Sequence, residues 1–250
     1  MSFDTGLVSI SFRRYSVDDI LTACHDAGLS LIEWGSDVHV PAGDFALAEA
    51  VAKKTHEAGL RCISYGSYFR LGSTPIEEFE SYVGSASRLG ARNIRVWCGV
   101  KGSAEVTPEE RARVVADGRL VAQMAADAGM NITLECHSGT LTDDCRSAMT
   151  YISEVAHPAM RLYWQPSQFH DFDYNLATAQ AYAPYTECLH VFQWDRTRRY
   201  PLAEGREVWA QYLDVFRAQP RALGLLLEFM HDDRLESLQQ TASTLQSWIG

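Results

Sequence analysis

Two glutamates stand inside stretches of sequence that otherwise have the composition of buried β-strand. Glu135 lies in the run ITLEC, and Glu228 lies in the run GLLLEF. Burying a carboxylate costs on the order of several kcal/mol unless it is paired with a base or bound to a cation. His190 is embedded in the same way, in the run LHVF. Each of them alone is compatible with an ordinary core residue, but the three together indicate a functional site.

The residue types in this set favour a metal site. The two carboxylates, the imidazole and the amide of Gln165, which ends another apolar run, would form a mixed oxygen and nitrogen ligand set. Such a set suits a divalent ion, Mn²⁺ first and Co²⁺ or Mg²⁺ as alternatives, rather than thiolate-bound zinc. Side chains alternate along a strand, so Cys136 is expected to point away from the site and His137 to return toward it. His137 is therefore a candidate contact for substrate.

A repeat of one helix and one strand must position these residues. Four times a helical pattern ends in glycine and an apolar run follows, at Gly28, Gly59, Gly90 and Gly129, which are spaced 31, 31 and 39 residues apart. Glycine is favoured just past a helix because the left-handed backbone there is strained for a residue with a Cβ. The motifs TPIE from position 74 and TPEE from position 107 predict helix starts with a capping box. The interval matches one βα unit.

Eight strand candidates alternate with helical stretches. This alternation, with no break in composition, predicts one domain over residues 1–250, and eight units predict a single (β/α)₈ TIM barrel of the α/β class. An open doubly wound sheet is the alternative, but it usually carries a glycine-rich phosphate loop after the first strand, where this chain has SISFRR. In a barrel, the carboxyl ends of the strands converge on the active site. The predicted strands cover residues 7–10, 31–34, 61–66, 93–97, 131–136, 161–165, 189–194 and 225–229.

The composition narrows the class of partner. The 250 residues include 22 Lys and Arg against 32 Asp and Glu, and the net charge of −10 disfavours nucleic acid and anionic membrane surfaces. The six cysteines form no C-x-x-C pair, which is typical of reduced, buried thiols. The first residues lack a basic and apolar leader, and no apolar run approaches the roughly 20 residues that span a bilayer. We therefore expect a cytoplasmic protein that acts on a small molecule.

Glu135, Gln165, His190 and Glu228, taken in that order on strands 5 to 8, resemble the xylose-isomerase-like TIM barrels. This superfamily includes ketose 3-epimerases, hydroxypyruvate isomerase, inosose dehydratase and the apurinic/apyrimidinic endonucleases. The motifs LECH, LHVF and LEF carry the resemblance, which extends over essentially the whole chain. It implies that both glutamates bind the metal and carry protons, and that Arg196, six residues after the histidine, binds substrate. It also implies a homodimer or homotetramer.

One strand departs from the family pattern. The family usually has aspartate on strand 6 and histidine three residues later, whereas this chain has Gln165 and Gln168. An amide oxygen can coordinate a cation, but it brings no charge, so we expect weaker metal affinity and a slightly stronger Lewis acid. The departure leaves three interpretations open: a normal epimerase, a divergent epimerase and a non-catalytic relative.

These residues are suited to proton transfer next to a carbonyl group. A ketone α-proton does not leave at about pH 7 unless the developing enediolate is stabilised, and a divalent cation that chelates the carbonyl and its neighbouring hydroxyl supplies that stabilisation. Glu135 and Glu228 would move the proton, while His190 and Gln165 complete the coordination. Return of a proton to the opposite face of the same carbon gives epimerisation, and return to the adjacent carbon gives isomerisation. The predicted substrate is a keto-sugar or sugar phosphate, and which glutamate acts first stays open.

Seven further residues are predicted to contact substrate. Three are polar and suit hydroxyl groups or an acidic group. Three are tryptophans at strand ends, which would stack on the apolar face of a sugar or, equally, plug the barrel mouth. One is a histidine in the loop after the second strand, which would line the mouth or lie on the loop surface. In that order they are His137, Gln168 and Arg196; Trp34, Trp97 and Trp194; and His39.

Three other functions compete with a metal-dependent isomerase or epimerase. Phosphodiester cleavage would need a trinuclear metal centre with many histidines at strand ends, and the net charge of −10 opposes DNA binding. A metal-dependent dehydratase of a keto-cyclitol or sugar shares the first proton abstraction and differs in losing a hydroxyl group. A non-catalytic sugar-binding barrel, with a metal site weakened at Gln165, is the third.

Overall fold

Each predicted repeat folds as one strand followed by one helix in the computed structural model, which describes residues 3–249. The strands are β1 (Phe3–Val8), β2 (Leu31–Gly35), β3 (Arg61–Arg70), β4 (Asn93–Trp97), β5 (Asn131–Glu135), β6 (Met160–Trp164), β7 (Thr186–Val191) and β8 (Leu223–Leu227). The helices are α1 (Val17–Asp26), α2 (Phe45–Glu57), α3 (Phe79–Leu89), α4 (Pro108–Asp127), α5 (Cys145–Val155), α6 (Phe172–Tyr182), α7 (Arg206–Arg217) and α8 (Leu238–Ile249). Short 3₁₀ helices cover Ser9–Phe12, Ile76–Glu78, Ala183–Tyr185, Leu202–Gly205 and Leu235–Ser237.

The strands are parallel and pair in sequence order, and β8 pairs with β1 from Phe3 opposite Leu223 to Leu7 opposite Leu227. The sheet is therefore closed, and the prediction of a single (β/α)₈ TIM barrel is confirmed. Within residues 3–249, none of the helices combines the length and the apolar composition needed to cross a membrane.

The glycine repeat marks the helix ends, as predicted. A left-handed backbone follows each of α1, α2, α3 and α4, with φ between 66° and 77°. Glycine adopts this conformation without the strain that a Cβ would add. The four residues are Gly28, Gly59, Gly90 and Gly129.

Only one of the two predicted capping boxes is formed. The Thr107 hydroxyl caps α4 by accepting from the Glu110 N–H, and the Glu110 carboxylate accepts from the Thr107 N–H in return. The prediction at Thr74 is wrong. The hydroxyl of Thr74 accepts instead from the N–H of Arg70 at 3.1 Å, and the chain enters α3 through the 3₁₀ helix Ile76–Glu78.

Alternation along the strands divides their side chains between two environments. Outward side chains pack against the helices in the main hydrophobic core, to which Trp34 and Trp164 belong. Inward side chains form a smaller apolar cluster of Val8, Leu31, Tyr163, Cys188 and Leu226, which Ile10 of the first 3₁₀ helix joins. The inward side chains also include a buried charged set, which consists of Glu33, Arg95 and Glu135. The interior of the barrel is therefore polar where the predicted site residues lie.

Candidate active site

The four predicted metal ligands lie together at the carboxyl-terminal end of the barrel. Glu135 is the last residue of β5, His190 lies in β7, and Gln165 and Glu228 directly follow β6 and β8. Glu135, His190 and Glu228 each offer one ligand atom, and these atoms lie within 4.8 Å of one another. Their residues are buried, with exposures of 5%, 0% and 6%.

The amide of Gln165 connects two members of this group. Its Oε1 lies 2.8 Å from Nδ1 of His190, and its Nε2 lies 3.4 Å from Oε1 of Glu135. Nδ1 of His190 is also 3.6 Å from Oε2 of Glu228. An imidazole nitrogen, two carboxylates and an amide oxygen are thus brought together, and this donor set fits a divalent cation such as Mn²⁺ or Mg²⁺.

An arginine outside the predicted set lies at the centre of the site. Arg95 faces the barrel interior from β4 and is 1% exposed. Its Nη1 donates to Oε2 of Glu135, and its Nε donates to Oε1 of Glu33 at 2.9 Å. The sequence does carry a signal for it: Arg95 stands between Ile94 and Val96 in a buried strand, so it needs a partner for the same reason as the glutamates.

The two carboxyl groups of the site have unlike surroundings. Burial raises the pKa of Glu135, but the Arg95 guanidinium, the nearby histidines and the Trp97 N–H outweigh burial and lower this pKa to about 2. The Trp97 indole donates to Oε2 of Glu135 at 2.6 Å. Burial also raises the pKa of Glu228; His190 opposes that increase, and the charge of Glu135 adds to it. Carboxyl groups whose pKa values are pushed apart are typical of acid and base pairs.

A cavity of about 220 Å³ is lined by Glu135 and Glu228. Four of the predicted substrate contacts also line it, namely Trp97, His137, Gln168 and Trp194. The rings of Trp97 and His137 stack, with 5.1 Å between their centroids and 14° between their planes. The Arg70 guanidinium lies 3.9 Å from the centroid of Trp97. The Trp97 ring therefore packs against protein groups and presents its N–H to the site.

Trp34, another predicted contact, lies outside the cavity. Side chains alternate along β2, so Glu33 points into the barrel and Trp34 points out of it. The indole of Trp34 is fully buried and donates to the Thr55 hydroxyl on α2 at 3.1 Å. The structure thus corrects its expected position: Trp34 packs between the barrel and its helices.

His39 and Arg196 are also not among the residues that line the cavity. His39 is buried, and its Nδ1 lies 3.1 Å from the Ser9 hydroxyl. It therefore lies neither at the barrel mouth nor on the loop surface, the two positions that the sequence left open. Arg196 is exposed and donates to the backbone oxygen of Phe169. The loop that follows β7 carries its guanidinium outward, and spacing along the sequence could not show that direction.

An aromatic wall bounds one part of the cavity. Phe192, Trp194 and Phe229 form it, with centroids 4.3 Å and 5.4 Å apart between neighbouring rings. Of these, only Trp194 was predicted. Phe229 has a φ of 48°, which is uncommon for a bulky residue, and its N–H donates to the Ser11 hydroxyl at 2.8 Å. The sequence does not predict a left-handed backbone at Phe229, because bulky L-residues rarely adopt that conformation.

Arg13 and Tyr68 also line the cavity and were likewise not predicted. Arg13 follows the first 3₁₀ helix, and its guanidinium donates to Oδ2 of Asp37 at 2.5 Å and to the Tyr68 hydroxyl at 2.5 Å. Tyr68 lies in the extension of β3 beyond the predicted strand end at residue 66. Tyr68 lines the cavity because β3 is longer than predicted, and Arg13 lines it because of the conformation of the loop after β1.

Comparison with known proteins identifies related sequences. A family model described as xylose isomerase-like TIM barrel matches residues 21–248. A 3-dehydroshikimate dehydratase of Bacillus anthracis is 27% identical over an alignment of 166 residues, and the match covers 63% of this chain and 59% of that protein. The match therefore spans less than two thirds of the relative's length.

Two solved structures share the fold over nearly the whole chain. The crystal structure of a probable 3-DHS dehydratase from Bacillus anthracis has a TM-score of 0.80 at 21% identity, over 98% of this chain and 99% of that one. The structure of a D-psicose 3-epimerase in the presence of D-fructose has a TM-score of 0.73 at 13% identity, over 98% of each chain. At these identities the likeness concerns the fold alone.

Proposed function

The chain belongs to the xylose isomerase-like TIM barrel family, and from that premise we propose that it is an enzyme that removes a proton next to the carbonyl group of a sugar or sugar-like hydroxy-ketone. The observation that carries the proposal is the cluster of Glu135, His190 and Glu228, whose ligand atoms lie within 4.8 Å of one another. Both carboxylates also line the cavity. Acid and base catalysis on such a substrate needs positioned proton-transfer groups within reach of the reacting carbon, and carboxyl groups can serve as these groups.

The same cluster would hold a divalent metal ion. Glu135 and Glu228 would supply carboxylate oxygens, His190 an imidazole nitrogen and Gln165 an amide oxygen, with Mn²⁺ preferred and Mg²⁺ or Co²⁺ as alternatives. When bound, such an ion withdraws electrons from a substrate carbonyl and acidifies the neighbouring C–H group. The residues of the chain then have to hold the substrate and move the proton.

The hydrogen bonds suggest different tasks for the two glutamates. Oε2 of Glu135 accepts from Arg95 and Trp97, and its Oε1 faces the Gln165 amide. A carboxylate held in this way is fixed in place and has little capacity left to accept a proton. Glu228 makes no such bond within the described residues, and its ionic contact is with His190 at 3.6 Å. We therefore assign the first proton transfer to Glu228 and the anchoring of the site to Glu135.

The walls of the cavity suit a substrate with a polar side and an apolar side. His137 and Gln168 present polar groups, whereas Phe192 and Phe229 present aromatic rings. Nε1 of Trp194 is buried and has no hydrogen-bond partner within residues 3–249. A buried donor normally has a partner, so we assign to it a hydrogen bond to a substrate oxygen.

Isomerase or epimerase activity is the first candidate, in which a proton is returned to the substrate. The second candidate is a dehydratase, in which a hydroxyl group leaves after the same first step. Two observations favour this second candidate. The 27% identical relative is a dehydratase, and the aromatic wall of Phe192, Trp194 and Phe229 suits packing against the apolar face of a carbon ring.

Solvent-deuterium exchange tests the proposal and separates the two candidates. The Mn²⁺-loaded protein is incubated in D₂O with free ketoses, ketose phosphates and cyclic hydroxy-ketones such as 3-dehydroshikimate. The masses of the products are measured by mass spectrometry. Deuterium gain without loss of water indicates an isomerase or epimerase, and loss of water indicates a dehydratase. The exposed variant Glu80→Gln is the control and keeps full exchange. A loaded protein that exchanges no proton and releases no water across the panel would refute the proposal.

A further inference from the structure

Three fully buried side chains meet inside the barrel behind the metal-ligand residues. Glu33 on β2, Arg95 on β4 and Tyr163 on β6 are 0%, 1% and 0% exposed. Nε of Arg95 donates to Oε1 of Glu33 at 2.9 Å, and the Tyr163 hydroxyl donates to Oε2 of Glu33 at 2.5 Å. Among the three, only Arg95 lines the cavity. Glu33 and Tyr163 thus act on any bound molecule only through other residues.

The backbone of β3 leaves room for this arrangement. A Cβ on Gly66 would lie 2.6 Å from Oε1 of Glu33 and 2.9 Å from Nη2 of Arg95. Contacts that short do not occur, so any larger residue would displace the ion pair. Glycine is therefore required at this position of a buried strand because it leaves space for the ion pair, and not because the chain turns there.

The buried layer reaches two of the four ligand residues. Nη1 of Arg95 and Nε1 of Trp97 both donate to Oε2 of Glu135, so a cation would bind at Oε1, whose contact is the long one of 3.4 Å with the Gln165 amide. The ring of Tyr163 packs on the ring of His190, with 4.5 Å between their centroids. The orientation of one carboxylate and of one imidazole is thus set by the same layer.

The charges of the buried groups also connect this layer to the metal-ligand residues. Glu33, Glu135 and Glu228 bring three carboxylates, and Arg95 brings one guanidinium, so the interior keeps two negative charges for a divalent cation. Without Glu33, the guanidinium would cancel one of the two carboxylates that bind the ion. The uncharged Gln165 cannot replace that loss.

We propose that Glu33 and Tyr163 are positioning residues that hold Arg95, so that Glu135 presents one fixed oxygen to the metal and the site keeps its charge. This inference rests on the proposed function, because it assumes that the cluster binds a metal ion. Mutation of a residue that hydrogen-bonds to a metal ligand commonly lowers the affinity for the metal by about tenfold to a hundredfold. Glu33 is expected to act through both charge and orientation, whereas Tyr163 acts through orientation alone.

Calorimetric titration with Mn²⁺ tests the inference on the purified whole chain. We expect Glu33→Gln to weaken Mn²⁺ binding at least about tenfold and Tyr163→Phe to weaken it less. The control is Thr133→Val, which removes a buried hydroxyl two residues before Glu135 on the same strand, where it bonds the Ile94 oxygen at 3.4 Å. It should bind Mn²⁺ like the wild type. Thermal unfolding of each metal-free variant shows that it is folded.

The possible results are distinguishable. Wild-type affinity in a folded Glu33→Gln protein would overturn the inference while leaving the proposed function intact. If Glu33→Gln does not fold, Tyr163→Phe decides the question, and wild-type affinity there would overturn it. A loss in Thr133→Val as large as in the other two would also overturn it, since any change in the interior would then have that effect. A wild-type protein that binds none of Mn²⁺, Mg²⁺ and Co²⁺ would remove the proposed metal site and this inference with it.

Discussion

Arg95 and Glu135 form an ion pair inside the barrel, in which Nη1 of the arginine donates to Oε2 of the glutamate. The pairing follows from the register of β4 and β5. Trp97 lies opposite Glu135, and Arg95 stands two residues before Trp97 on the same face of β4. Both side chains therefore reach the same carboxylate oxygen. The carboxylate is held in place by the protein alone, so its position does not depend on a ligand.

Replacing Arg95 with Met would leave Glu33 and Glu135 buried without their shared counter-charge. Breaking a buried ion pair from one side costs about 3–5 kcal/mol, and we expect the free energy of unfolding of the metal-free protein to fall by about that amount. Urea denaturation measures it. Arg92→Met, at an exposed position one residue before β4, is the matched control and should change stability by less than about 0.5 kcal/mol. Equal losses in both variants would contradict the assigned role of the pair.

The same substitution has a consequence for pH dependence. The pKa of Glu135 is lowered from 4.5 to about 2 in the folded protein, after Arg95 and its other neighbours outweigh burial. Its ionised form thus stabilises the fold above about pH 4.5, and that contribution is lost as the pH falls toward 2. In Arg95→Met the pKa of Glu135 should rise and this loss should begin at higher pH. Carboxyl ¹³C NMR titration of the metal-free proteins reports the pKa directly.

The two glutamates are expected to fail in different ways when each is changed to glutamine. Glu228→Gln should reduce solvent-deuterium exchange by about 10²–10⁴-fold, the range for loss of a general base, while the anchored Glu135 still contributes to Mn²⁺ binding. Glu135→Gln should lose Mn²⁺ affinity first, because it removes a negative charge and its amide oxygen would turn toward the Arg95 and Trp97 donors, which leaves the amide NH₂ facing the cation. Exchange rates and Mn²⁺ titrations on both variants check this. Full exchange in Glu228→Gln would contradict the assignment.

Gln165 adds no charge to the ligand group, and changing it to aspartate should strengthen metal binding. The amide brings an oxygen 2.8 Å from Nδ1 of His190 but no charge. Gln165→Asp adds a third carboxylate beside the cation, and cation affinity rises with the number of charged ligands, so we expect a gain of roughly tenfold or more for Mn²⁺. Gln240→Asp, which adds the same charge on the exposed face of α8, is the control. Unchanged affinity in Gln165→Asp would contradict the expected gain from a third charged ligand.

The barrel and the four grouped residues could be predicted because they follow from strict periodicities. Helix and strand lengths fix the interval of the glycines, and a carboxylate in an apolar strand demands a partner wherever it occurs. The same rule applied to Arg95 would have found the centre of the site. Alternation along β2 would have placed Trp34 outside, since Glu33 and Trp34 are neighbours and cannot both face inward.

The rest of the cavity could not be predicted because it depends on loop conformation. Phe229 lines the cavity through a left-handed backbone, supported by the Ser11 hydroxyl from the far end of the chain. Arg196 has the expected spacing from His190, yet its loop directs it to the backbone of Phe169. Spacing along the chain determines which strand end a residue follows, but it does not determine the direction of a side chain in the loop beyond.

Trp194 combines a wall function and a donor function, and one substitution separates them. Trp194→Phe keeps an aromatic ring between Phe192 and Phe229 but removes the buried Nε1–H, which has no partner within residues 3–249. If that group donates to a substrate oxygen, its loss should cost about 0.5–1.5 kcal/mol of binding and raise KM severalfold, with a smaller effect on kcat. Trp194→Leu, which also removes the ring, should raise KM further. Steady-state kinetics on the substrate identified by deuterium exchange measures both values, and equal KM values for wild type and Trp194→Phe would show that the indole N–H does not bind substrate.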